Sequence, residues 1–193
     1  MEDVEALLEE LMAQENILQF KTFNSAGALE LGLRLVELAG AMGRPIAVDI
    51  HANGTLLFQH AMDGCTPDHA CWLARKRRVV QRYARSSLYM GRCYRRRGTS
   101  FEAHTGLDPH EYAAKGGGFP LRVRACGQIG CITVSGLSEE EDHALVAGVL
   151  GAMLGLPPPP AQAGGIAALT RTFWLLAAEA GERRDERRGQ RQG

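Results

Sequence analysis

The sequence lacks most of the signatures by which a chain declares its chemistry. No Gly-Lys-Ser/Thr follows its glycine-rich loop, which excludes a P-loop, and no G-x-S-x-G occurs, which leaves a hydrolase elbow unsupported. Gly127-Gln-Ile-Gly130 is too short for a dinucleotide fingerprint. Five cysteines (Cys65, Cys71, Cys93, Cys126, Cys131) make an odd count with no C-x-x-C, so neither a disulfide framework nor a zinc site follows. The six histidines do not fall at metal-ligand spacing. No apolar run is long enough to span a bilayer, and the acidic start is the reverse of a signal peptide's basic one. A reduced, soluble, cytoplasmic protein is expected. Net charge is missing too, 22 bases against 22 acids, so the average says nothing of partners.

What is present is unevenly spread. The 193 residues suffice for one ordinary domain with an appendage. Its first 15 residues hold six acids and no base, whereas the stretch from Arg75 to Arg97 holds ten bases and no acid. That stretch reads either as a solvated helical face or as an anion-binding or subunit-contacting surface. Nucleic acid is the least favoured partner, because no recognised motif accompanies the charge.

Apolar spacing predicts a helix over 3–18, a short strand over 19–23, and a second helix capped by Asn24-Ser25 and stopped by Gly43. Ile46–Ile50 and Thr55–Phe58, joined by Ala52-Asn53-Gly54, read as a hairpin. Thr66-Pro67-Asp68 opens a third helix, expected to continue through Ser86 to Arg97. Ser100 and Asp108-Pro109 start short helical turns. Ser138 with Glu141 is a capping box for the last core helix. The domain is expected to span 1–156. A Pro/Gly linker (157–165), an additional helix (166–182) and a disordered Arg-rich tail (183–193) follow.

The densest signal is Lys115–His143, where six glycines flank two β-rich runs: loop, strand, turn, strand, tight turn, helix. At 100° per residue, Lys76 falls inside the apolar stripe of the third helix and Asp142 inside that of the last core helix. Buried charges are costly unless paired, so Lys76 or neighbouring Arg75 is expected near Asp142 or the Gly116–Gly118 loop. An internal bridge and a ligand site fit that expectation equally. The free N–H groups of a helix start beside Ser135-Gly136 also suit an anion.

These residues carry a resemblance. Lys115-Gly-Gly-Gly-Phe-Pro, Gly130-Cys-Ile-Thr-Val-Ser-Gly136 and Glu141-Asp-His143 resemble the signature of the haem-degrading domain superfamily of GlcG-like and HbpS-like proteins. Trp72, Arg75-Lys76, Val79-Val80, Ser86-Ser87, Tyr89-Met90-Gly91 and Glu111–Ala114 are similar to its UPF0303 branch, over roughly residues 4–155. The resemblance implies an α/β (α+β) fold: a profilin-like three-layer sandwich, with an antiparallel sheet of about five strands flanked by helices. It also implies homo-oligomers and, as candidate ligand, haem or a related tetrapyrrole. On that footing the ligand-binding candidates are Arg75, Lys76, Lys115, Gly116, Gly117, Gly118, Phe119, Ser135, Gly136, Asp142 and His143. Arg75 or Arg78 would meet propionates, and His143, Tyr112 or a cysteine would be the axial ligand. A non-enzymatic oligomeric interaction module is the competing reading. No reaction follows from either.

Overall fold

The computed structural model describes residues 4–161 and 163–190. Helices α1 (Val4–Ile17) and α2 (Ser25–Ala41) lead into the hairpin β1 (Ala47–Ala52) and β2 (Thr55–Ala61). Three helices follow, α3 (Pro67–Tyr83), α4 (Ser87–Arg96) and α5 (Phe101–Thr105). A second hairpin, β3 (Gly118–Val123) and β4 (Gly127–Ser135), then precedes α6 (Glu139–Met153) and α7 (Gly165–Gln190). The sheet is antiparallel throughout, in the order β2-β1-β4-β3. It has four strands, one fewer than expected. The stretch 19–23 contributes a single parallel bridge, Phe20 to Val123, because only Phe20 exchanges backbone bonds with Arg122 and Arg124 before the chain turns into α2.

Strand alternation sets the layers. Val48, Ile50, Phe119, Leu121, Ile132 and Val134 point to one face and join the main core with α2 and α6. The other face carries Asp49, Thr133 and Ser135 beneath α3. The sandwich is therefore helix, sheet, helix. Helix α6 is buried over almost its whole run from Asp142 to Gly151, which a helix apolar on every side requires. Its outer face is closed by α7, where Phe173 and Trp174 lie over Gly148 and Gly151. A Cβ at Gly148 would fall 2.7 Å from Phe173 Cβ, so these two glycines allow the close approach.

Two local expectations change. The third helix does not continue through Ser86: Ala84 takes a left-handed turn (φ 54°), and Ser86 restarts the chain by accepting from the Tyr89 amide at 3.2 Å. The additional helix α7 runs to Gln190, so most of the expected tail is helical, and 191–193 lie outside the described residues, as do residue 3 of the first helix and residue 162 of the linker.

Much of the arginine-rich stretch stitches the molecule's own elements together, while Arg82, Arg95 and Arg97 stay on the surface. Among the described residues, six of its ten bases pair with carboxylates: Lys76 with Asp142, Arg77 with Asp49, Arg78 with Glu111, Arg85 with Glu15, Arg92 with Glu139 and Glu140, and Arg96 with Glu5. Glu15 is the deepest of these acids. It accepts from the Ser86 amide at 2.7 Å, from Arg85 at 3.1 Å and from Arg122 at 3.4 Å, tying α1 to the α3–α4 junction and to β3.

Candidate functional site

The third helix lays Lys76 across the end of β4, where its stem is buried and its ammonium donates to Asp142 Oδ2 at 2.8 Å and to the Val134 carbonyl at 2.9 Å. Asp142 also accepts from the Leu137 amide at 3.1 Å. The capping box places it there: Ser138 and Glu141 fix the start of α6, and Asp142 follows on the inward side. Gly117 (φ 111°) passes so close that a Cβ would stand 2.9 Å from Lys76 Nζ and 3.0 Å from Asp142 Cβ. Only glycine combines that backbone with that approach. Burial pushes the Asp142 carboxyl up to about 6, against the pull of Lys76 and the neighbouring amides.

Beside this pair opens a cleft of about 330 Å³, into which Lys76, Lys115, Ser135, Gly136 and Asp142 all face. Lys115 stands half-exposed on the rim, 2.8 Å from Glu139. The remaining expected residues do not line it. Gly116 and Gly118 are packed under the loop, and Ser87 holds that loop by donating to the Lys115 carbonyl and accepting from the Gly118 amide. Arg75 folds back over the Trp72 ring at 4.1 Å. Phe119 and His143 belong to the core on the far side of the sheet, ring against ring at 5.4 Å.

His143 is fully buried. Its Nε2 meets Gln14 Oε1 at 3.0 Å and its Nδ1 has no partner among the described residues, and burial holds the imidazole down to about 3, neutral at ordinary pH. The ring therefore does not reach the cleft, where the sequence-based expectation puts it.

Sequence reasoning missed five cleft-lining residues: Asp68, His69, Trp72, Leu137 and Glu139. For the first three the signal was the helix start at Thr66-Pro67-Asp68, read only as a cap. The cap itself is chemical: the Thr66 amide donates to His69 Nδ1 at 3.0 Å, so the neutral imidazole carries its proton on Nε2. Trp72 Nε1 donates to Asp68 at 2.9 Å, which fixes the indole as a wall of the cleft. Among the described residues no cluster of His, Cys, Asp and Glu could hold a metal ion, and no helix is long and apolar enough to cross a membrane.

Comparison with known proteins follows the same lines. The family model described as haem degrading protein HbpS-like matches residues 23–150. A UPF0303 protein of Streptomyces coelicolor is 47% identical over 146 residues, covering 76% of this chain and 92% of that one. Among solved structures, the Ybr137w protein superposes with a TM-score of 0.66 at 28% identity, over 90% of this chain and 88% of that one. A PduOC–haem complex superposes at 0.52 with 22% identity, over 66% and 90%, a likeness of fold alone.

Proposed function

The chain belongs to the HbpS-like haem-degrading protein family, in its UPF0303 branch, and from that premise we propose that the cleft beside Lys76 and Asp142 binds a small anionic molecule. One observation carries the reading: a buried ammonium–carboxylate pair forms the floor of an open cleft instead of being sealed in the core. Around it, Lys115 and the Nε2–H of His69 supply donors for a carboxylate, and the Trp72 ring supplies a flat wall. Glu139 neutralises Lys115 in the free protein, so a ligand carboxylate would take its place.

Haem is the tetrapyrrole that the family description brings, and the lining fits it in part. Propionates have partners in Lys115 and His69. An axial donor is lacking among the described residues: no cysteine or tyrosine lines the cleft, and His69, whose Nδ1 accepts from the Thr66 amide, turns a protonated Nε2 outward. Iron is therefore not what this cleft is shaped to hold. Absorbance titration with haem and with iron-free protoporphyrin IX tests the reading. Saturable uptake of both, weakened several-fold in Lys115→Ala, is expected. Saturable uptake of neither, or uptake indifferent to Lys115, would overturn it.

A second reading, self-association into a homo-oligomer, is favoured by Leu29 and Leu33, exposed one turn apart on α2, and by Leu56 on the open edge strand β2. Sedimentation at several concentrations, with Leu29→Glu/Leu33→Glu as comparison, decides it.

A further inference from the structure

A second cavity, of about 320 Å³, lies where the chain beyond residue 156 folds back on the domain. Its character is opposite to that of the cleft. Ile17, Leu156, Ala167, Trp174 and the rings of Pro157–Pro160 form apolar walls, and Arg171 pins the proline run by donating to the Pro159 carbonyl at 2.5 Å. Besides Glu10, two polar side chains line it, Gln14 and Thr170. Gln14 is committed: its amide donates to Glu10 and to Thr170 Oγ1, at 3.1 and 3.4 Å, and its carbonyl meets His143. Thr170 is 4% exposed, and its hydroxyl proton has no acceptor among the described residues. On the same wall the buried Trp174 Nε1–H has none either.

We infer that this cavity is a binding site for a neutral, apolar small molecule bearing one hydrogen-bond acceptor of the carbonyl type. Largely apolar pockets of this size take up small apolar ligands, with a few polar groups fixing orientation. The uncommitted Thr170 proton calls for an acceptor, since a buried donor left unmet is costly. No cation stands among the described lining residues, which disfavours an anion. The walls come largely from residues 156–174, beyond the stretch matched by the family model.

Calorimetric titration of the full chain with octan-2-one, octane and octanoate tests the inference. Octan-2-one should saturate one site, about tenfold more tightly than octane, and octanoate should bind more weakly than the ketone. Thr170→Val should erase the ketone's advantage while octane binding persists. Ala167→Phe, which fills the cavity from a half-buried position, should abolish uptake of both. Equal affinity for octane and octan-2-one, uptake unchanged in Ala167→Phe, or no saturable uptake would each overturn it. So would a dimer that Ala167→Phe dissociates without any ketone uptake, since a second copy would then be what covers the cavity.

Discussion

Lys76 and Asp142, 66 residues apart and on helices from opposite faces of the sheet, meet at 2.8 Å under a loop in which Gly117 leaves no room for a side chain. Each makes the other's burial tolerable, and the Val134 carbonyl and Leu137 amide complete the set. The relationship fixes where the cleft floor lies.

Breaking half of that pair should be worse than removing all of it. Lys76→Met leaves a buried carboxylate and is expected to cost ~3–5 kcal/mol, whereas Lys76→Met/Asp142→Leu should recover most of the loss. Urea unfolding of the two variants gives the answer. A single variant as stable as the wild type would mean the pair contributes no cohesion.

Acid sensitivity should report His143. Its folded value of about 3 lies below the ordinary 6.5, so the unfolded chain takes up a proton first as pH falls. The corresponding stability is complete above 6.5 and drains away toward 3, at ~1.4 kcal/mol per pH unit. Asp142 acts in reverse. Its value is raised from 3.8 to about 6, so its contribution is complete below 3.8 and lost as pH rises through 6. The two slopes oppose each other in between. Comparing the wild type with His143→Gln isolates the histidine: the stability difference between them should shift by roughly 2 kcal/mol between pH 6.5 and 5, to the wild type's disadvantage. Parallel pH profiles would refute it.

Glu15 should behave as a keystone. Glu15→Gln keeps the shape but weakens its hold on Arg85, Arg122 and the Ser86 amide, and a loss of about 2–4 kcal/mol is expected from thermal or urea unfolding. The Arg96–Glu5 pair, exposed on the surface, serves as control: Glu5→Gln should change stability by less than ~1 kcal/mol.

Docking of α7 should depend on two absent side chains. Gly148→Val would press a branched side chain against Phe173 Cβ and the Trp174 backbone, both 2.7 Å from the added Cβ, at an expected cost of ~1–3 kcal/mol. Proteolysis should then cut near 157–165 first. Unchanged protease resistance would show that the helix accommodates the branch.

The layers were legible because residue type follows period: apolar Val48, Ile50, Ile132 and Val134 alternate along β1 and β4, α2 carries an apolar stripe, and caps at Asn24, Ser100 and Ser138 stand where capping chemistry puts them. Lys76 and Asp142 were legible because charges inside apolar stripes are rare. His143 was misplaced because position in a first turn does not reveal which way a ring faces. In the fold it points into the core beside Phe119 and Gln14, and Gln14 lies 129 residues away in sequence. Asp68, His69 and Trp72 were missed for a related reason: as a cap and its neighbours they already had local explanations. The basic stretch misled by density, since its partners Glu5, Glu15, Asp49 and Glu139 come from other parts of the chain.

That stitching has a consequence for how the molecule meets salt. A dense basic segment usually signals a protein that lets go of a polyanion as ionic strength rises. Here guanidinium groups on α3 and α4 reach α1, β1, the loop at Glu111 and the head of α6, so added electrolyte would screen bonds between the molecule's own layers. Raised ionic strength should loosen the body of the protein itself, and a heparin column should pass it by.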